Sequence, residues 1–175
     1  MTDPIKLIGN VASPYTRKMV AYLRYKRIPY EVIWGQPEDI LKSMNIKAPK
    51  PILLPVFILD RDGQATAVTD STPLIREFED KYPDRSVLPN NPALNFINFV
   101  LEDFGDEWCT KFMFHYRWHF DEDADNAGTI LPLGINSNLK DDELAFFKEH
   151  FAKRQIDRLW AVSYTHLRAH ETRRY

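Results

Sequence analysis

The spacing of apolar and polar positions divides the chain into a first part that alternates strand-like and helix-like stretches and a second part that is helical. Lys6 to Gly9 predicts a short strand, entered after Pro4. Ala12 to Ala21, ASPYTRKMVA, predicts a loop closing onto the first turn of a helix. Ser13 has the side chain of an N-cap, and Pro14 suits the first helical position, where a missing N–H costs nothing. Met19, Val20 and Leu23 then share one face and the basic residues the other, as on a helix packed against a sheet. Ile28-Pro29 breaks this helix, and Tyr30 to Trp34 is rich in β-branched and aromatic residues. Strand, helix, strand is the expected unit, with parallel strands and a right-handed crossover.

Pro37 to Met44 predicts a short helix opened by Glu38 and Asp39, which Pro49 and Pro51 do not allow to continue. The apolar run from Ile52 to Leu59 is interrupted by Pro55. Proline removes a ladder donor, so Pro55 belongs at the start of the strand. Asp60 to Gly63 reads as a turn and Ala65 to Val68 as the returning strand, an antiparallel hairpin added to the parallel unit. Asp70-Ser71-Thr72-Pro73 repeats the device at Ser13, a hydroxyl cap followed by proline, with Leu74, Ile75 and Phe78 at helical spacing. Tyr82-Pro83-Asp84 ends that helix. The aperiodic stretch up to Pro92 reads as a linker.

From Ala93 to about Phe120 the pattern is helical and unusually aromatic, including Phe96, Phe99, Phe104, Trp108, Phe112 and Trp118. Such a stripe reads as core before it reads as a binding box. His115 and His119 have a spacing that suits a metal, and Glu122 is close by. No third ligand stands at motif spacing, so no metal is expected. Asp121 to Asp125 reads as a solvated acidic loop, and Asp141 to Trp160 as a further helix with Leu144, Phe147, Phe151, Ile156 and Leu159 on or near one face.

Composition narrows the function. With 175 residues and 44% hydrophobic content, a real core is affordable in one domain or two small ones. The net charge of -2 does not favour nucleic acid, and the local cluster Arg17, Lys18, Arg24, Lys26 and Arg27 reads as a solvated helix face before a phosphate-binding one. The single cysteine, Cys109, excludes an intrachain disulfide framework and a dithiol couple. No apolar run approaches the roughly 20 residues needed to span a bilayer. Met1 to Asn10 lacks the pattern of a signal peptide, so a cytoplasmic protein with no membrane partner is expected.

Candidate chemistry gathers at the two helix starts. A helix N-terminus bearing a hydroxyl and unpaired N–H donors can hold a small anion or stabilise a thiolate. The tail is a different matter: VSYTHLRAHET, from Val162 to Thr172, breaks the preceding pattern and resembles a one-frame translation of a transposon-end adapter used in sequencing libraries. The natural sequence is expected to stop near Ala161. Without residues 162–175, which carry three arginines and one glutamate, 20 basic and 24 acidic residues remain, a net of -4. His166 and His170 are accordingly not read as ligands.

The order of elements, together with SPYTRK at 13–18, LPVFIL at 54–59, DSTPLI at 70–75 and YPDRSVLP at 82–89, resembles the glutathione transferase superfamily over residues 5 to about 160. The resemblance implies an α/β thioredoxin-like N-terminal domain with a mixed four-stranded sheet (1–84), a linker (85–92), and a truncated all-α C-terminal domain (93–161), leaving 162–175 as the adapter-like tail. It implies that Ser13 holds the glutathione sulfur as thiolate by a hydrogen bond that lowers its pKa. Tyr15 is the alternative source of that hydroxyl. Pro55 matches the family's cis-proline, with the backbone of Leu54 pairing with the cysteinyl part of the tripeptide. Ser71 and its helix N-terminus match the position that receives the γ-glutamyl carboxylate and Asp70 the one that receives the ammonium, with Lys50 a weaker candidate for the glycyl carboxylate.

SPYT also compares with the CPYC of glutaredoxins. Ser13 and Thr16 replace both cysteines, and serine cannot form the mixed disulfide of thiol exchange. The implied activity is conjugation of glutathione to a hydrophobic electrophile, with a homodimer as the implied assembly. The alternative is a catalytically silent binding or regulatory protein on the same fold that retains a glutathione site. About seventy residues after the linker are too few for the family's usual set of helices, so part of the electrophile pocket is expected to be missing and aromatic residues near Trp108 to Trp118 exposed.

Overall fold

The computed structural model describes residues 3–164. A first unit runs to Leu88 and is joined by Gly134–Asn136; a second is formed by Pro89–Leu133 and the residues from Ser137 on. The expectation about Val162 to Thr172 lies, from Thr165 onward, outside the described residues.

In the first unit β1 (Ile5–Gly9), α1 (Pro14–Lys26), β2 (Tyr30–Trp34), α2 (Pro37–Ser43), β3 (Val56–Arg61), β4 (Gln64–Val68) and α3 (Ser71–Lys81) follow in order. The sheet has the order β2-β1-β3-β4. β1 and β2 are parallel, Leu7 opposite Val32, whereas β3 runs antiparallel to both β1 and β4, Ile8 opposite Val56 and Phe57 opposite Val68. This is the mixed four-stranded sheet expected from the parallel unit plus hairpin. Asp62 and Gly63, both at positive φ, close the hairpin as a two-residue turn whose twist matches that of the strands. The Gly63 N–H donates to Asp60 Oδ1 at 2.9 Å.

Alternation along the strands assigns the two faces of the sheet. Leu7 and Phe57 face Met19 and Leu23 of α1 and Leu74 and Phe78 of α3. Ile8 and Val56, the next residues along, face Leu41 of α2. All nine are buried, which makes the register costly to slip by one residue. α1 ends where Arg27 turns left-handed (φ 59), one residue ahead of the Ile28-Pro29 break.

The second unit contains α4 (Pro92–Asp103), a π-helical segment (Phe104–Cys109), α5 (Thr110–Trp118), α6 (Asp121–Ile135), α7 (Asp141–Ile156) and a second π-helical segment (Trp160–Tyr164). Asn91 caps α4, its side chain accepting from the N–H groups of Ala93 and Leu94. Trp118, Ala124, Ala127 and Leu159 form the buried cluster. Gly128 lets α7 approach α6, because a Cβ there would stand 3.0 Å from Lys148 Cγ.

Several expectations are corrected here. Asp121 to Asp123 do not form a loop; they occupy the first turn of α6, where negative charge complements the helix dipole. The helix from Asp141 ends at Ile156, not Trp160. Trp118 is buried, as a core residue should be and against the exposure expected near Trp108 to Trp118, whereas Phe96, Phe99, Phe104, Trp108, Tyr116 and Phe120 are exposed, so most of the aromatic stripe does not pack inward. Lys26, grouped with the solvated basic residues, is buried.

Candidate functional site

One end of the sheet collects the predicted site residues. β1 runs toward that end and delivers Asn10 to Ser13, while β3 begins there, since Val56 pairs with Ile8 near the end of β1. Leu54 and Pro55 immediately precede β3. β4 runs back to the same end, Val68 pairing with Phe57, and so delivers Asp70 and Ser71. Ser13, the Leu54–Pro55 pair and the Asp70–Ser71 pair thus share one edge of the first unit because of strand direction and register.

The loop at Ser13 is built by local hydrogen bonds. Asn10 is buried; its side-chain Oδ1 accepts from the Ala12 N–H at 2.8 Å and its carbonyl accepts from the Ser13 N–H at 3.0 Å. Ser13 is the N-cap of α1, its Oγ accepting from the Thr16 N–H at 3.2 Å. That bond uses a lone pair of the hydroxyl and leaves its hydrogen for a further acceptor. Gly9 allows the loop to close tightly: a Cβ on it would fall 2.5 Å from Thr16 Cγ2, and Thr16 is itself buried. Tyr15 is half-buried in the first turn of α1.

The second helix start differs from the first. Ser71 is not the cap; Asp70 holds that position and makes no side-chain capping bond. Its φ of 83 lies in the region that favours glycine, and it turns the chain out of β4 directly into α3. Ser71 is instead the first helical residue, buried, with its Oγ accepting from Lys18 Nζ at 3.2 Å. Leu54–Pro55 is a cis peptide, as is Lys50–Pro51. Lys50 is exposed on the loop before Leu54.

α1 and α3 lie side by side, in the same direction and in step. Lys18 meets Ser71, Tyr22 Oη donates to the Ile75 carbonyl at 3.4 Å, and Lys26 meets Glu79 at 2.9 Å. Each pair is separated by 53 residues, as Lys26 and Glu79 also are. Parallel alignment brings both helix N-termini, each the positive end of a dipole, to the same end of the unit. The pairing is held from the far end by a buried polar knot. Glu79 accepts from Tyr22 Oη at 2.8 Å, from Ser86 Oγ and from the Val87 N–H at 3.1 Å, while Lys26 Nζ donates to the Tyr82 carbonyl. Burial disfavours the Glu79 carboxylate, but hydrogen bonds from Ser86, Lys26 and Tyr22 and the Lys26 charge outweigh it and hold its pKa below the ordinary value. Burial first, then the bond to Glu79, pushes the Tyr22 hydroxyl far above its ordinary pKa.

Sequence reasoning missed Lys18, Tyr22, Lys26 and Glu79 as site supports. Their signal was present: Lys18, Tyr22 and Lys26 fall at four-residue intervals on the packed stripe of α1, and Ser71 and Glu79 stand eight residues apart on that of α3. His115 and His119 stack at 4.6 Å between ring centroids, and among the described residues no group of three or more His, Cys, Asp or Glu could hold a metal ion. Among the same residues no helix is long and apolar enough to cross a membrane.

A mixed four-stranded sheet with two parallel helices on one face, followed by further helices, defines a thioredoxin-like α/β domain with a helical second part. Residues 7–86 match the glutathione S-transferase N-terminal domain family, and the first unit belongs to the glutathione S-transferase superfamily. Among curated relatives it is similar to glutathione S-transferase U6 of Arabidopsis thaliana, 27% identical over 105 residues (60% of this chain, 45% of the relative). It is also similar to glutathione S-transferase U3 of the same plant, 28% identical over 111 residues (62% and 47%). The chain therefore spans about half the length of the curated relatives it matches. A solved glutathione S-transferase from Methylobacterium radiotolerans, in complex with glutathione sulfonate, shares the fold with a TM-score of 0.53 and 21% identity, covering 91% of this chain and 65% of that one. Glutathione transferase Omega 1C from Trametes versicolor gives the same TM-score of 0.53 at 12% identity, covering 91% and 88%.

Proposed function

We propose that the chain binds glutathione at the converging N-termini of α1 and α3 and that the protein conjugates its thiolate to a hydrophobic electrophile. The observation that carries this reading is the in-step pairing of the two helices. It sets one helix end, at Ser13, and a second, at Asp70–Ser71, on the same edge of the sheet. The Ser13 hydroxyl donates its remaining hydrogen to the sulfur, stabilising the thiolate over the thiol. Tyr15, one turn-position further, is the second candidate donor. The backbone of Leu54, ahead of Pro55, pairs with the cysteinyl unit. Ser71 and the first turn of α3 receive the γ-glutamyl carboxylate, Asp70 its ammonium group, and Lys50 the glycyl carboxylate.

The membership of the superfamily and the glutathione derivative named for the Methylobacterium radiotolerans protein support glutathione as co-substrate. No metal is assigned a role. Action as a cytoplasmic homodimer belongs to the same proposal, supported by the exposed apolar residues along α4, Phe96, Ile97 and Leu101 among them.

Calorimetric titration of glutathione into the chain and into Ser13→Ala and Ser71→Ala tests this reading. Binding weakened by Ser71→Ala, with a thiolate absorbance lost in Ser13→Ala, is the expected outcome. Full affinity in Ser71→Ala, or an unchanged thiolate signal in Ser13→Ala, overturns these assignments. Product formation with a model aryl halide then separates conjugation from silent binding.

A further inference from the structure

A second cleft lies along the outer flank of α1, where the helix passes over the edge strand β2. Its volume is about 670 Å³, within the usual range for small-ligand sites. Its ends are alike and its middle is different. At one end Arg17 Nε donates to the Val11 carbonyl at 2.8 Å, beside Trp34 at the close of β2. At the other end Arg24 Nε donates to Tyr30 Oη at 2.7 Å, at the opening of β2. Val20, Ala21 and Val32 line the space between them.

The lining holds two guanidinium groups and no acidic residue. Among the described residues neither arginine forms an ion pair. Each Nε bond fixes a guanidinium at its own end of the cleft, and the remaining N–H groups keep the forked geometry that suits a carboxylate. The two arginines are seven residues apart on one helix face, which places them about 10 Å apart along the axis. Tyr30, Val32 and Trp34 alternate onto that same side of β2, so an aromatic residue accompanies each arginine.

We propose that this cleft is a binding site for an elongated dicarboxylate, with an apolar or aromatic span over Val20, Ala21 and Val32 and one carboxylate on each of Arg17 and Arg24. Charge complementarity selects the two anionic ends, and the spacing of the arginines selects the length. Val11 and Thr16 adjoin the Ser13 loop, but no residue of the cleft is among those assigned to glutathione, so the proposal does not rest on that reading.

The probe is biphenyl-4,4′-dicarboxylate, titrated calorimetrically against biphenyl-4-carboxylate and terephthalate. The long diacid is expected to bind about tenfold tighter than the monoacid, and the short diacid more weakly than either. Arg17→Gln and Arg24→Gln each erase the preference for the second carboxylate, Ala21→Trp fills the cleft and abolishes binding, and saturating glutathione changes nothing. The circular dichroism of each variant is compared with the parent, and Ala21→Trp, at an exposed helical position, tests occupancy without touching a charge. Equal affinity for diacid and monoacid, a preference that survives both arginine substitutions, undiminished binding by Ala21→Trp, or displacement by glutathione would each overturn the proposal.

Discussion

Lys26 and Glu79 form an ion pair at 2.9 Å with both side chains withdrawn from water. Neither charge could remain there without the other, and the surrounding hydroxyls, carbonyl and amide complete their coordination. Glu79→Gln leaves a buried ammonium without a counter-charge, and we expect a loss of about 3–5 kcal/mol. Urea denaturation of parent and variant measures it.

Acid should act through the same carboxylate. The folded-state pKa of Glu79 is depressed, so its stabilisation is present above the unfolded-state value of about 4.3 and is lost as pH falls through the lower folded value. Urea midpoints followed from pH 7 downward should fall below about pH 4. The fall should be shallower in Glu79→Gln; identical slopes would assign acid sensitivity to other groups.

At the opposite end, Gly9 is fixed by its neighbour. A methyl group there would meet Thr16 Cγ2 at 2.5 Å, and Thr16 has no room to retreat, so Gly9→Ala should cost about 1–3 kcal/mol. Adding Thr16→Ser removes the opposing methyl while keeping the hydroxyl. Thermal unfolding of the double variant should recover much of the loss, and no recovery would mean that the strain lies elsewhere.

Ser13 caps α1 and, in the proposed function, holds the glutathione sulfur, two roles that substitution can separate. Ser13→Ala removes the cap bond to the Thr16 N–H and should lower stability by about 1 kcal/mol. Ser13→Asp restores an acceptor for that N–H but cannot donate a hydrogen bond to sulfur when ionised. Stability near that of the parent, with the glutathione thiolate absorbance still lost, is the expected result for Ser13→Asp.

The first unit was legible because its signals agree at every level. Alternation in the strands, Pro14 behind Ser13, and Asp62-Gly63 between apolar runs all favour the same local structure. The site edge was legible for the same reason, as strand direction alone brings Ser13, Pro55 and Ser71 together. Glu79 and Lys26 were not, because an isolated charge in an amphipathic pattern reads as solvated until a partner from a distant helix is known. The cap of α3 was misread because Asp70 and Ser71 are adjacent and both suit an N-cap, and only the positive φ at Asp70 decides between them. In the second unit the acidic run from Asp121 read as a loop because charge alone does not mark a first helical turn, and the aromatic stripe suggested burial where Phe96 and Phe99 are exposed.

The constant interval of 53 between Lys18 and Ser71, Tyr22 and Ile75, and Lys26 and Glu79 constrains which length changes the domain can accept. A residue inserted within either helix between these rungs would rotate everything beyond it by about 100°. The buried charges and the alignment of the two helix starts could then no longer be kept together. Insertions are absorbed only between the ladders, as in the loop from Asn45 to Pro55 or the hairpin turn at Gly63. Variation in chain length across relatives should therefore concentrate in those loops, and a ruler set by two helices, fastened at its base, keeps the two helix starts in register.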